Sequence, residues 1–472
     1  MRDRNKLKPY QNKSVKFLLT RKHGALWLDM GLGKTVITLT TILDLKAQGL
    51  LEDRPVLLVS TIRIIYSVWR QEARLWKHTR RLKFSMVHGS MSERMAALRK
   101  PADIYLMNYD NLKWLASLTE LDRPNFGVFV ADESSRLKAH NTKRFRAVRD
   151  LLHLFDRRWL LTGTPAPTSL MNLWSQVFIL DEGQRLGRQF EFFKQRFFEP
   201  SDWEGHSYQP RPRAERTIHR LVAPLVLRLD AADYVKMPKI IPNTILLDLP
   251  EEVRGLYNEM ERRMFLQLDS VDVEVFNAAT LTAKCWQFAN GAVYGTDRET
   301  NQREWRTVHN MKLDALDEVL EEAEGNPVLI PYWFRSDLAR LQQRFGKRFG
   351  KKEIAHIGSG VKPGAADKLI VKWNHGDLPA LLVHFITAAH GLNIQAGGHI
   401  LFFFSQTWSS ELNDQLIKRL ARPGQKFPVI VHRPIMRDTV DEAIQDSMLA
   451  KAATQGRLFN ALRRYHTIRD LL

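Results

Sequence analysis

Asp29-Met30-Gly31-Leu32-Gly33-Lys34-Thr35 sets two glycines, a lysine and a hydroxyl where the apolar run Ala25–Leu28 meets a helix-like stretch carrying Val36, Leu39 and Leu43 on one face. Glycines at 31 and 33 let the backbone curl so that successive N–H groups face phosphate oxygens. Lys34 then supplies a cation for the β- and γ-phosphates, and the Thr35 hydroxyl a ligand for Mg²⁺. Leu28 occupies the first glycine position of the strict phosphate-loop pattern, a departure of one residue. Asp132-Glu133 follows the apolar run Phe126–Ala131. An acidic pair at a strand's carboxyl end, downstream of a phosphate loop, suits nucleotide hydrolysis. Asp132 is expected to hold Mg²⁺ through water and Glu133 to polarise the attacking water.

Two further groups belong with these. Leu161-Thr162-Gly163-Thr164-Pro165 ends another apolar run, and its hydroxyls suit a switch that senses the γ-phosphate. Far along the chain, Gln415-Leu416-Ile417-Lys418-Arg419-Leu420-Ala421-Arg422-Pro423-Gly424-Gln425 sets Arg419 and Arg422 three apart, on one face of an expected helix. Arginine forks onto phosphate oxygens better than lysine. An arginine supplied in trans makes hydrolysis depend on closure of two lobes, and such residues contribute on the order of 10³–10⁵ in rate.

The elements that position these residues are short apolar runs alternating with helix-like stretches. The first set is Ala25–Leu28, Val56–Ser60, Ile104–Asn108, Val128–Ala131 and Trp159–Leu161; the second is Val328–Pro331, Ala380–Phe385, His399–Phe404 and Val429–His432. Continuous apolar strands between helices predict parallel sheets covered on both faces, hence two α/β lobes. The expected division is a first lobe over 1–180, helical or irregular insertions over 181–300 with 233–250 joining the lobes, a second lobe over 301–440, and a helical tail over 441–472. Thr439-Val440-Asp441-Glu442 reads as a capping box opening the last helix.

Bulk properties set bounds. A chain of 472 residues exceeds one hydrophobic core. With 71 Lys+Arg against 52 Asp+Glu the formal charge is +19, a field that favours a polyanion. The basic stretches Arg74–Lys83, Arg211–Arg216 and Arg344–Lys352 either add to that field or are solvated faces. Trp69 and Trp76, seven apart, read as the buried side of a helix rather than a base-stacking pair. A single cysteine, Cys285, excludes an internal disulfide and any cysteine-rich zinc site. The run Ile400–Phe404 is far shorter than a bilayer crossing, and the polar N-terminus lacks a signal-peptide core, so a cytoplasmic location without membrane partners is expected.

In order and spacing these motifs resemble those of superfamily 2 helicases, and within them the Swi/Snf-type DNA-translocating ATPases, in the manner of a compact bacterial or phage relative. The likeness spans roughly residues 7 to 445. Leu7-Lys8-Pro9-Tyr10-Gln11 resembles the adenine-reading element, with Gln11 facing the base. Asp29–Thr35 matches motif I, with Met30, Gly31, Leu32, Gly33, Lys34 and Thr35 as ATP contacts. Val56–Ser60 running into Val68-Trp69-Arg70-Gln71-Glu72 is similar to motif Ia, Asn108-Tyr109 to motif Ib, and Asp132–Lys138 to motif II. Thr162–Pro165 matches motif III, Ala389–Ile394 motif V and Gln415–Gln425 motif VI. Leu227-Arg228 and Pro238-Lys239 resemble the stretch that joins the lobes.

The resemblance implies two RecA-like lobes, ATP and Mg²⁺ as cofactors, and double-stranded DNA as partner. It implies coupling through Thr162, Thr164 and Gly391, an ATP contact from Gln415, and phosphate contacts to DNA from Ser60, Thr61, Asn108, Tyr109 and Asn393. Ser135 stands where the family usually has histidine, so coupling of motif II to motif III must use another contact. Ile330-Pro331-Tyr332-Trp333 replaces the usual motif IV, and His390 a common glycine. The function expected is ATP-driven translocation on duplex DNA that remodels DNA or displaces bound proteins. A strand-separating DNA or RNA helicase is the alternative, and a non-hydrolysing nucleic-acid-binding scaffold the reading from a different class.

Overall fold

The computed structural model describes residues 1–51, 54–166, 169–201, 208–269, 275–296, 303–349, 354–389 and 392–451. These fall into two compact units, Met1–Lys236 (with Lys451) and Met237–Ala450.

The first unit holds strands β1 (His23–Leu28), β2 (Val56–Ser60), β3 (Phe84–Val87), β4 (Ile104–Asn108), β5 (Val128–Asp132), β6 (Arg157–Thr162), β7 (Phe198–Pro200), β8 (Tyr208–Pro210) and β9 (Val226–Leu229). Seven of them form a sheet in the order β3-β4-β2-β5-β6-β1-β9, with every pairing parallel. β7 and β8 make a separate antiparallel pair. Each residue of β2, β4 and β5 is buried, which requires cover on both faces and explains their unbroken apolar sequences. Helices such as Pro9–Thr20, Lys34–Ala47, Ile62–Leu75, Lys143–Leu151 and Leu173–Asp181 alternate with the strands and supply that cover. Trp69 and Trp76 are both buried, but only Trp69 is on the helix Ile62–Leu75; Trp76 lies one residue past its end, in extended backbone bridged to Arg2, so the shared helical face expected from their spacing does not form.

The second unit repeats the plan. Its strands are β10 (Ile240–Leu247), β11 (Ala292–Thr296), β12 (Arg303–Thr307), β13 (Val328–Tyr332), β14 (His356–Ile357), β15 (Ala380–His384), β16 (Ile400–Phe402) and β17 (Val429–Met436). Six form a parallel sheet in the order β10-β17-β16-β13-β15-β14, and β11 and β12 pair as an antiparallel hairpin. Both units are thus RecA-like α/β lobes with helix-covered parallel sheets, and the helices Glu251–Asp269 and Val275–Ala289 are added elements. Among the described residues no helix is long and apolar enough to cross a membrane.

Five strands, β7 to β11, lie where the sequence predicts insertion or linker, and two of them join the large parallel sheets. β9 lies beyond residue 180 yet pairs with β1, its apolar character interrupted by Arg228. β10 occupies the stretch expected to join the lobes and pairs with β17 along its whole length. It contains Pro242 and leaves most of its side chains exposed, as an edge strand permits. The final helix covers 440–451 among the described residues. Thr439 precedes it, but its hydroxyl accepts from the Asp441 N–H at 3.3 Å instead of closing a box with Glu442. Asp441 turns inward, where its carboxylate meets Lys312 at 2.6 Å with both side chains fully buried.

Candidate nucleotide site

The carboxyl ends of three adjacent strands, β5, β6 and β1, carry the acidic pair, the Thr-Gly-Thr-Pro turn and the glycine-rich loop. Register fixes their proximity: Asp132 lies beside Leu161, and Thr162 beside Trp27.

The loop is held at both ends. Asp29 at its start accepts from Arg228 Nη2 at 3.3 Å and from the Ala231 N–H at 3.1 Å. Arg228, buried on β9, also donates to the Trp27 carbonyl at 2.9 Å and pairs with Asp230. At its far end Gly33, with φ of 82°, precedes the helix Lys34–Ala47, and Gly31 has φ of 86°. A Cβ on Gly33 would lie 2.5 Å from Gln11 Nε2, so another residue there would displace the Gln11 amide, and the left-handed φ itself favours glycine. Gln11 is buried, donates to the Leu32 carbonyl at 3.1 Å and accepts from the Lys8 N–H at 2.9 Å. The expected adenine reader and phosphate loop are therefore one hydrogen-bonded assembly. Leu32 is fully buried, whereas Met30 and Thr35 are half-buried and Gly31 is exposed.

Lys34 donates to the Leu28 carbonyl at 2.7 Å, the last carbonyl of β1. A Cβ on Gly163 would lie 3.4 Å from that same oxygen, which brings the Thr-Gly-Thr-Pro turn against the loop. Burial holds the Lys34 ammonium below the usual lysine range, while the carboxylates of Glu133, Asp132 and Asp29 oppose that shift. Burial likewise raises Asp132, against the opposing effects of Lys34, Trp69 and Ser60. Both charges are thus under-compensated. A phosphate anion beside Lys34, or a cation beside Asp132, stabilises the charged form of each.

Asp132 is fixed from two sides. Its Oδ2 accepts from Ser60 Oγ and from Trp69 Nε1, each at 3.1 Å. The Tyr109 hydroxyl donates to the Asp132 backbone carbonyl at 2.7 Å. Glu133 follows with φ 57° and ψ 57°, a left-handed conformation that costs a non-glycine residue on the order of 1–3 kcal/mol. The chain breaks there from strand into the 3-10 turn Ser134–Leu137. Thr35 and Asp132 are the residues that could hold Mg²⁺, and the loop that Gly31 and Gly33 curl at positive φ is the place that could receive phosphate. The residues present fit both groups.

The sequence leaves a gap at Ser135, and a different residue bridges it. Ser134 Oγ donates to Gln176 Oε1 at 2.9 Å, and Gln176 Nε2 donates to the Pro165 carbonyl at 2.6 Å. Thr162, fully buried, accepts from the Thr164 N–H at 3.0 Å, which shapes the same turn. Motif II and the turn are thus joined through the helix Leu173–Asp181. Gln176 was not legible as a site residue, since it sits in an apolar helix with no motif around it.

Of the residues expected at DNA, Ser60 and Tyr109 turn their hydroxyls inward to Asp132, so their side chains serve the acidic strand end. Asn108 is buried beside Ser60 in register, and its Oδ1 has no partner among the described residues. Thr61 is half-buried, and its hydroxyl likewise has no partner among the described residues. In the second unit Asn393 is exposed, and its carbonyl accepts from Asn374 Nδ2 at 2.8 Å. Gly391 and His390 lie outside the described residues. Gln415 and Arg419 are buried on the helix Ser410–Leu420; Arg419 Nη1 reaches the Leu392 carbonyl at 3.4 Å, and Gln415 Nε2 reaches Glu411 at the same distance. Arg422 is not on that helix, which ends two residues earlier. Pro423 disfavours helical backbone at the residue before it, so the common helical face expected for Arg419 and Arg422 does not form. Arg422 Nε instead donates to the Lys418 carbonyl at 3.1 Å, and burial and then the Arg419 charge lower its pKa.

Paired parallel lobes, one bearing a phosphate loop beside an acidic strand end, are the plan of the helicase superfamily 2 ATPase domain. Residues 10–294 match the SNF2-related domain and residues 311–424 the helicase conserved C-terminal domain, and the chain belongs to the SNF2-related family. It is 36% identical over 471 residues to protein p41 of Acyrthosiphon pisum secondary endosymbiont phage 1, covering 97% of this chain and 98% of that protein. It is 26% identical to YwqA of Bacillus subtilis over 95% of this chain, but spans only 48% of that protein. Among solved structures, the Sulfolobus solfataricus SWI2/SNF2 ATPase core in complex with dsDNA aligns over 96% of this chain and 93% of its own, at 23% identity and a TM-score of 0.42.

Proposed function

We propose that the protein is a DNA-dependent ATPase that translocates on double-stranded DNA and remodels it or displaces bound proteins, as a phage- or bacterial-type member of its family. The observation that carries this reading is the convergence of Lys34, Asp132, Glu133 and the Thr162 turn on three neighbouring strand ends. Support for a duplex partner comes from the family and from the +19 charge.

In this reading the N–H groups of the Gly31–Thr35 loop receive the phosphates, and Lys34 leaves the Leu28 carbonyl to meet them. Gln11 selects adenine. Glu133 accepts a proton from the attacking water, and Arg419 and Arg422 stabilise the charge that develops on the transferred phosphoryl group. Thr35 and Asp132 would hold Mg²⁺, which when bound would supply charge neutralisation at the phosphates. Ser60, Trp69 and Tyr109 keep Asp132 in place. The Ser134–Gln176–Pro165 link transmits the state of the acidic pair to the Thr-Gly-Thr-Pro turn.

The test is ATPase activity at fixed salt with single-stranded, duplex and branched DNA and with RNA, alongside unwinding of a tailed duplex and displacement of a third strand. The reading expects stimulation by duplex DNA and third-strand displacement without unwinding. Turnover indifferent to nucleic acid, or efficient unwinding of the tailed duplex, contradicts it.

A further inference from the structure

A concave pocket of about 310 Å³ lies on the first unit at the edge of the sheet opposite the nucleotide residues. Four cations surround it: Arg70, Arg74, Arg80 and Lys100, over a floor that includes Leu82 and Phe84. Its place follows from the topology. Phe84 and Ile104 are register partners at the amino ends of β3 and β4, whereas Ser60, Asn108 and Asp132 mark the carboxyl ends of their strands. The helix Ile62–Leu75 starts at the carboxyl edge and runs back, so Arg70 and Arg74 have travelled about 12 and about 18 Å toward the other edge at 1.5 Å per residue.

The charge pattern is unusual for a solvated face. Arg70 and Arg74 are one helical turn apart, an arrangement of like charges that destabilises a helix. Arg80 and Lys100 converge on them from two other segments, and among the described residues no carboxylate lines the pocket. Arg70 Nε is buried and has no hydrogen-bond partner among the described residues. A buried guanidinium N–H without an acceptor is a cost that a fitted anion removes. By contrast, the half-buried Arg144 of the same unit is paired with Asp110 at 2.7 Å.

We propose that this pocket binds closely spaced phosphate groups, as in an oligophosphate or a nucleic-acid backbone. Arginine forks match phosphate oxygens two at a time, and three arginines with a lysine around one small volume suit two or three adjacent phosphates. The site is separate from the phosphate loop and does not depend on the proposed ATPase reading.

The test is calorimetric titration of the full-length protein with inorganic tripolyphosphate. Wild type is compared with Arg70→Ala/Arg74→Ala, with Lys100→Ala as a milder variant on an exposed side chain, and with Lys34→Ala to remove the phosphate loop's cation. A charge-matched control is Arg216→Ala/Arg220→Ala, an exposed pair at the same spacing on the helix Ala214–Val222. The proposal expects one binding event that survives Lys34→Ala and the control pair, weakens about tenfold or more in the Arg70/Arg74 variant, and weakens less in Lys100→Ala. Repeating the comparison with duplex DNA assigns the source. A nucleic-acid backbone in the pocket lowers the salt slope by about two contacts in the Arg70/Arg74 variant, and a free oligophosphate leaves it unchanged. Equal binding by the Arg70/Arg74 variant and wild type, or equal weakening by the control pair, overturns the proposal.

Discussion

Ser134 and Gln176, 42 residues apart, share a buried hydrogen bond of 2.9 Å, and through it the acidic strand end is tied to the Pro165 carbonyl. Replacing Gln176 with Leu leaves the buried Ser134 hydroxyl and the Pro165 carbonyl without that partner, at about 1–3 kcal/mol. We expect stimulation of ATPase by DNA to fall about tenfold while KM for ATP changes little. Gln176→Glu keeps an acceptor for Ser134 but loses the donor to Pro165, and is expected to fall between the two. Steady-state kinetics with and without duplex DNA checks the order of the three proteins; equal stimulation in all three removes the link from the mechanism.

Gly33→Ala is expected to damage nucleotide binding without unfolding the lobe. The new methyl sits 2.5 Å from Gln11 Nε2, and φ of 82° costs an L-residue roughly 1–2 kcal/mol. Gln11→Ala in the same chain relieves the clash but leaves the backbone strain. Nucleotide affinity, measured by fluorescence titration, is expected to drop about tenfold or more in Gly33→Ala and to recover only in part in the double variant.

All nine apolar runs read from the sequence are interior strands of the two sheets, and the four sheet strands that escaped it, β3, β9, β10 and β14, are all edge strands. The reason is physical. An interior parallel strand is buried on both faces and reads as unbroken apolar residues, as Val56–Ser60 does. An edge strand needs burial on one side only. Phe84–Val87 alternates, Ile240–Leu247 tolerates Pro242, and Val226–Leu229 admits Arg228 because Asp29 and Asp230 meet its charge. The site was legible in the same uneven way. Lys34, Asp132, Glu133 and Thr162 sit in local patterns whose spacing announces their chemistry. Trp69 was legible as core but not as a donor to Asp132, and Gln176 not at all, since their acidic-strand-end partners Asp132 and Ser134 lie 63 and 42 residues away in sequence.

In the second unit the buried pair of Lys312 and Asp441 ties the helix Met311–Glu322 to the last helix. Lys312→Met leaves a buried carboxylate uncompensated and is expected to destabilise this unit by about 3–5 kcal/mol. Replacing both residues, Lys312→Met with Asp441→Leu, is expected to recover much of that loss. Denaturant unfolding compares them; a double variant no more stable than the single would show that the pair contributes through packing alone.

Acid is expected to loosen the same unit. His309 is held down at about 4 from an ordinary 6.5, chiefly by burial, with the charges of Lys312 and Arg340 adding to the shift and its bond to the Phe288 carbonyl opposing it. The folded chain therefore binds fewer protons here than the unfolded one between those values. Stability from this group is complete above 6.5 and is lost as pH falls from 6.5 toward about 4. His309→Gln removes the titration, so its unfolding midpoint should change less than that of wild type between about pH 7.5 and about pH 5. Identical slopes in the two proteins would contradict this assignment.

The most direct test of the central claim is steady-state ATPase turnover of wild type and Glu133→Gln, each with and without duplex DNA and over a range of salt. The account predicts that duplex DNA raises wild-type turnover severalfold and that salt abolishes the increase. It also predicts that Glu133→Gln loses turnover by about 10² or more while still binding DNA. Wild-type turnover unmoved by duplex DNA, or a Glu133→Gln variant as active as wild type, would contradict it.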